Sequence, residues 1–252
     1  MKILLTGASE KSFIGRHLNK YLTELGYETD TISKEELSEH EDFSRLDNFQ
    51  LKKRQGSPDV LVHCGWIRDK DLDSMHHYEM AELSCHLFNE CAKRGIRVIN
   101  LGSSSEYGMH LDLMNEDTSV CRPHTMYGIA KLMVTLHAKR LGFNTLRLFA
   151  VYGEGGHSFM DNINSDKWSS PSDVRHWVHV DMVCHAVERL LHAKHIYGEV
   201  INVADLYKYY QEAVEFLDID NKDEKWNTYP QRQYEPARWE ADLGKMRDLL
   251  NL

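Results

Sequence analysis

The sequence has few cysteines and no closely spaced pair of them. Its five (Cys64, Cys85, Cys91, Cys121 and Cys184) form no C-x-x-C motif, and an odd count leaves one over in any pairing scheme. That argues against a disulfide-stapled extracellular scaffold and for reduced thiols, packed as small apolar groups, in a cytoplasmic protein. Long apolar runs are lacking as well. No stretch approaches the ~20 residues of a membrane span. Met1-Lys2-Ile3-Leu4-Leu5 meets Thr6-Gly7 before an apolar region of signal-peptide length can form. Positive charge is in deficit: 30 Lys and Arg against 39 Asp and Glu give a formal net charge of −9. This balance disfavours nucleic acid or an anionic membrane as a partner. An anionic small molecule in a locally cationic pocket stays compatible with it. Internal repeats, low-complexity tracts and long charge blocks are missing too. At 252 residues the chain has the length of one large domain, or of one domain with a small lobe.

What is present is an alternation of strand and helix signals. Lys2–Leu5 is an apolar run ending in a glycine turn, and Ile14–Leu25 has helical periodicity up to Gly26. Thr29–Ile32 and Asp59–His63 read as strands, Met75–Arg94 as a long helix and Arg97–Leu101 as a buried strand. Tyr127–Leu141 is a further helix, Asn144–Ala150 the next strand, Val178–Leu191 a short strand then a helix, and Gly198–Ala204 another strand. Such alternation predicts an α/β fold, a Rossmann-type doubly wound parallel sheet with helices on both faces. Residues 153–174 are rich in Gly, Ser, Asn and Asp and read as a loop or lid. The expected division is a dinucleotide-binding core over 1–152 and 176–204. A small C-terminal substrate lobe takes 153–175 and 205–252.

Three segments carry chemistry. Gly7 and Gly15, between the first strand and first helix, let the backbone approach a pyrophosphate at the helix N-terminus. Ser9, Ser12, Phe13 and Ile14 complete that loop. Gly102-Ser103-Ser104-Ser105-Glu106-Tyr107-Gly108 follows a buried strand with three hydroxyls in a row. Tyr127-Gly128-Ile129-Ala130-Lys131 sets a tyrosine and a lysine on one helix face, where an ammonium would favour the phenolate and lower the tyrosine pKa.

With Arg147-Leu148-Phe149-Ala150-Val151-Tyr152-Gly153 and Arg175-His176-Trp177-Val178-His179-Val180-Asp181, these segments resemble the extended short-chain dehydrogenase/reductases. That group comprises NAD(P)-dependent nucleotide-sugar epimerases, dehydratases and reductases. The resemblance covers residues 1–204 well and the tail poorly. The loop departs from the family spacing T-G-x-x-G-x-x-G: Ser12 stands where the middle glycine would fall, with two extra residues. The segment before Arg175 and the C-terminal lobe are short for the family.

The resemblance implies a Ser-Tyr-Lys set. Tyr127 would move a proton, Lys131 would lower its pKa and hold the nicotinamide ribose, and Ser103 would bind the substrate oxygen. Ser104 and Ser105 stay open as alternatives and as substrate contacts. It places Asp42 and Phe43 beside the adenine, has His63, Cys64 and Gly65 line the end of the third strand, and sets Arg175 near the nucleotide phosphates. At the end of the second strand, Ser33 and Lys34 suit a 2′-phosphate and favour NADP, whereas Asp30 would favour NAD if that strand ended earlier. No metal is implied. The Asp-Glu pair that dehydratases present after a catalytic threonine is absent, which argues against 4,6-dehydration. The expectation is therefore an NADP-dependent reductase of a nucleotide-linked keto-sugar, acting at C4 of a 4-keto-6-deoxyhexose. A nucleotide-sugar 4-epimerase with bound NAD, reduction of a non-sugar carbonyl, and a non-catalytic dinucleotide sensor are the alternatives. The helices Met75–Arg94 and Tyr127–Leu141 would pair in a homodimer.

Overall fold

The structure is a computed structural model, and it describes residues 1–33, 57–67, 71–109, 113–156, 173–209 and 238–252. Apolar side chains alternate along the first strand, β1 (Lys2–Thr6), and this assigns its two faces. Ile3 and Leu5 enter one buried cluster and Leu4 enters another. The same holds for β3 (Val60–His63), with Val60 and Val62 on one side and Leu61 on the other. A strand buried on both faces needs a helical layer on each.

The first layer consists of α1 (Ile14–Glu24), α4 (Val180–His192) and α5 (Gly244–Leu250). Leu18 and Leu22, four residues apart on α1, are fully buried there. Each is stabilised by about 2 kcal/mol relative to exposure. Met246 and Leu250 bring the C-terminal helix onto the same cluster. The second layer is α2 (His76–Lys93) and α3 (Met126–Arg140), which pack on each other through Leu87, Phe88, Cys91, Ala130, Val134 and Ala138.

Between them, β1 and β3 are joined by β2 (Glu28–Ile32), β4 (Arg97–Ser103), β5 (Asn144–Leu148) and β8 (Val200–Val203). Among the described residues these make a six-stranded parallel sheet in the order β2-β1-β3-β4-β5-β8. From β1 the chain first adds β2 on one side and then β3 on the other. This reversal opens a crevice at the carboxyl ends of β1 and β3, the place where such sheets bind ligands.

The strand expected over Asn144–Ala150 is two strands in two sheets. β5 ends at Leu148, and β6 (Ala150–Tyr152) joins a second sheet built on β7 (Val174–His179). At the junction the Phe149 N–H still donates to the Val203 carbonyl at 3.2 Å. β9 (Leu206–Tyr209) and β10 (Arg238–Trp239) pair with β7 as well. Under this sheet Tyr107, Met114, Phe149, Ala204, Trp239 and Ala241 form a third apolar cluster. Among the described residues, no helix is long and apolar enough to cross a membrane.

Candidate active site

Gly7 closes β1 with φ +63°, in the left-handed region that glycine adopts without strain. A Cβ there would lie 2.3 Å from the Gly65 Cα, and one on Gly15 would lie 2.2 Å from the Gly7 carbonyl oxygen. Both glycines are thus required by close backbone approach, in a loop two residues longer than the family spacing. The loop forms one wall of a cleft of about 1130 Å³. Gly7, Ser9, Ser12, Phe13, Ile14 and Gly15 all face it. So does Lys11, which sequence reasoning passed over and which lies within the lengthened part of the loop.

β2 runs through to Ile32, so Ser33 stands at its end and faces the cleft with Thr31 and Ile32. Asp30 is exposed on the strand and is not part of the wall; its carboxylate accepts the Thr31 N–H at 2.8 Å. Lys34, Asp42 and Phe43 lie outside the described residues. No carboxylate is found among the described residues of the wall, although the chain as a whole carries a net charge of −9.

At the end of β3 the expectation needs correction for two residues, His63 and Gly65. Cys64 faces the cleft, and its thiol, donating to the Thr6 carbonyl at 2.8 Å, is pushed up to about 12 by burial. His63 does not face it: the side chain is 2 % exposed and lies in the interior. The Ser84 hydroxyl donates to the Met80 carbonyl at 2.6 Å, so it accepts from His63 Nε2 at 3.0 Å. His63 Nδ1 is then the acceptor for the Thr6 hydroxyl at 2.9 Å, and Thr6 in turn accepts the Gly65 N–H at 3.0 Å. This chain of bonds needs a neutral imidazole, and burial holds the His63 pKa down to about 3. His63 therefore braces β1, β3 and α2 behind the cleft. Gly65 contributes by letting Gly7 approach rather than by facing the cavity.

Ser103, Ser104 and Ser105 all face the cleft at the end of β4. Ser103 caps the short 3-10 turn Ser104–Glu106, its hydroxyl accepting the Ser105 N–H at 3.2 Å. The Glu106 carboxylate reaches back to the Ser103 N–H at 2.8 Å, completing a capping box. Glu106 is 0 % exposed, also accepts the Thr135 hydroxyl at 3.0 Å, and is paired with Arg147 at 2.8 Å. Glu106 lies beneath the serine turn and holds it, while the Arg147 guanidinium also rests 4.3 Å from the Tyr107 ring centre.

α3 begins at Thr125, whose hydroxyl accepts the Gly128 N–H at 3.1 Å, so Tyr127 and Lys131 lie on its first two turns. Both face the cleft. Ser103 hydrogen-bonds the Tyr127 phenol, which favours the phenolate, but burial is the larger influence and raises the pKa. The expected lowering by Lys131 is thus not what the geometry produces. Lys131 turns its Nζ to the Leu101 carbonyl at 3.0 Å and over the Trp66 ring, 4.0 Å from its centre. Burial brings the ammonium down to about 8, with Glu106 opposing.

Wall residues missed from sequence include Trp66 and Ile67 after β3, and Leu72, His76 and His77 ahead of and on α2. Trp66, the second residue after the cleft-facing Cys64, was the available signal. Arg175 lies on β7, paired in register with Lys208 and Trp239, and is not part of the cleft wall. Trp239 is buried in the third cluster and is not among the described residues of the cleft wall.

Residues 3–204 match the model of the NAD dependent epimerase/dehydratase family. A comparison with curated proteins found no match. Among solved structures, MoeE5 in complex with UDP-glucuronic acid and NAD is 19% identical, with TM-score 0.81 over 100% of this chain and 93% of that one. The UDP-glucose 4-epimerase of Thermotoga maritima, with UDP-glucose, is 20% identical, with TM-score 0.79 over 100% and 93%. DesIV, the dTDP-glucose 4,6-dehydratase of Streptomyces venezuelae with NAD bound, is 20% identical, with TM-score 0.75 over 99% and 91%. At these identities the structural likeness speaks for the fold. The family match over most of the chain, with the glycine loop, the serine turn and the Tyr-Lys helix on one cleft, makes this protein a member of the NAD-dependent epimerase/dehydratase family.

Proposed function

We propose that the protein is an NADP-dependent reductase of a nucleotide-linked keto-sugar, acting at C4 of a 4-keto-6-deoxyhexose. The observation that carries the reading is the convergence of Ser103, Tyr127 and Lys131 on a cleft whose glycine cradle admits no Cβ and whose described wall has no carboxylate. Such a wall suits a polyanionic dinucleotide. Gly7, Ser9, Ser12 and Gly15 would hold its pyrophosphate. Ser33 at the end of β2, with Asp30 outside the wall, supports a 2′-phosphate. The dinucleotide, when bound, supplies the hydride. Tyr127 gives its phenolic proton to the carbonyl oxygen, and Ser103 holds that oxygen by a hydrogen bond. Lys131 stabilises the phenolate left behind. The protein acts in the cytoplasm as a homodimer through α2 and α3, which carry exposed Tyr78, Ile129 and Leu136.

A second reading, a nucleotide-sugar 4-epimerase that retains NAD, is favoured by the NAD named with MoeE5 and DesIV and by the epimerase among the similar structures. The test is NADPH and NADH oxidation at 340 nm against a panel of nucleotide-linked 4-keto-6-deoxy sugars. NADPH consumption with one of them is expected. No consumption, with NAD released from the denatured protein, would give the epimerase reading the better case. Failure to bind either dinucleotide would overturn both.

A further inference from the structure

We propose that Trp66 is a positioning residue for Lys131 and Tyr127, setting the ammonium and the phenol relative to each other by touching both. The Lys131 ammonium stands over the indole, 4.0 Å from its centre, and the Tyr127 ring meets the indole at 6.1 Å and 82°. A lysine side chain has several torsions, and the hydrogen bond to the Leu101 carbonyl fixes one direction for the buried ammonium. The negative face of an indole fixes a second direction for the ammonium.

The indole is itself held from behind. Its Nε1–H donates to His77 Nδ1 at 3.2 Å, and the two rings lie 15° from parallel with centres 6.4 Å apart. With Nδ1 accepting, the proton of a neutral imidazole is on Nε2, which donates to the Asp71 carbonyl at 3.1 Å. Both nitrogens are engaged, so His77 anchors the indole. The His77 ring also packs on Tyr127, at 5.3 Å and 68°. The segment that carries Asp71 ties down the start of α3: the Leu72 carbonyl accepts the Tyr127 N–H at 2.8 Å, and Asp73 accepts the Met126 N–H at 3.1 Å. Trp66, His77 and residues 71–73 thus form one brace on the proton-transfer pair. The family motifs that located the Ser-Tyr-Lys set contain none of these residues. Among the described residues, the other titratable groups that bear on Lys131 are Glu106 below the serine turn and His63 and Cys64 at the end of β3, with Tyr127 on its own helix.

The role in turnover rests on the function proposed above, whereas the contact itself does not, and the experiment separates them. In the ligand-free protein with ¹³C-labelled lysine, the Lys131 ε-methylene protons, assigned by their loss in Lys131→Met, are expected upfield of every other lysine because of the indole ring current. Trp66→Leu should abolish that shift and Trp66→Phe should keep part of it. In turnover, Trp66→Leu is expected to lower kcat about tenfold with little change in KM, and to move the high-pH limb of kcat. Trp66→Phe should recover most of the rate and guards against a variant that fails to fold. An ordinary Lys131 shift in the wild type would overturn the proposal, as would Trp66→Leu with the wild-type kcat and pH profile. A wild-type protein that binds neither dinucleotide would sink the proposed function, and the lysine shift alone would then decide the contact.

Discussion

The Arg147 guanidinium lies 2.8 Å from the Glu106 carboxylate, in the interior beneath the turn that carries Ser103. Their side chains are 3 % and 0 % exposed, so neither charge has water as an alternative partner. Removing one partner leaves the other buried and uncompensated, which costs about 3–5 kcal/mol. Arg147→Met is expected to lose that much stability in denaturant unfolding. Adding Glu106→Gln to it should restore part of the loss, because the stranded charge is then gone. Equal stability of Arg147→Met and wild type would show that the pair holds nothing in place.

Tyr127→Phe removes the phenolic hydroxyl while keeping the ring that packs on Trp66 and His77. The expected result is a folded protein that binds the dinucleotide as tightly as wild type. Its turnover should fall by about 10²–10⁴-fold, the usual worth of a positioned proton donor. Fluorescence titration and initial rates check the two halves, and wild-type rates would remove Tyr127 from the mechanism.

The pH dependence follows from Lys131. Burial sets its pKa at about 8, below the ordinary 10.5, so the ammonium is present below about pH 8 and lost above it. The Tyr127 phenol, whose pKa burial raises, stays protonated over the same range. In the reductive direction the proton donor persists while the charge that stabilises its phenolate disappears. The rate should therefore fall as pH rises through about 8, and Lys131→Met should be slow with no such limb.

His63 gives a stability prediction of definite sign. Its pKa is about 3 in the fold, against 6.5 for an ordinary histidine, so between these values the unfolded chain binds the extra proton. This contribution is fully present above pH 6.5 and is lost as pH falls towards 3. It adds a slope of about 1.4 kcal/mol per pH unit within that window. His63→Gln should be less stable at pH 7 and should lack one proton's share of the acid slope in unfolding curves at stepped pH. An unchanged slope would place the titrating groups elsewhere.

The sequence by itself determined the α/β alternation, the glycine cradle, the serine turn and the Tyr-Lys helix. Each of these is written in local terms: apolar period, left-handed glycine, cap and four-residue spacing. Ser33 was locatable for the same reason, since it follows Ile32, the one apolar residue of β2 and its last. Only the tertiary structure decided what the strand ends face. His63 and Cys64 are neighbours, yet the pleat turns one inward to Thr6 and Ser84 and the other to the cleft. Glu106 met Arg147 across 41 positions, and Trp66 met Lys131 and Tyr127 from a different strand end. The sign of the Tyr127 shift was also settled there. Spacing along a helix counts the lysine but not the burial of the phenol, and burial was the larger of the influences on it.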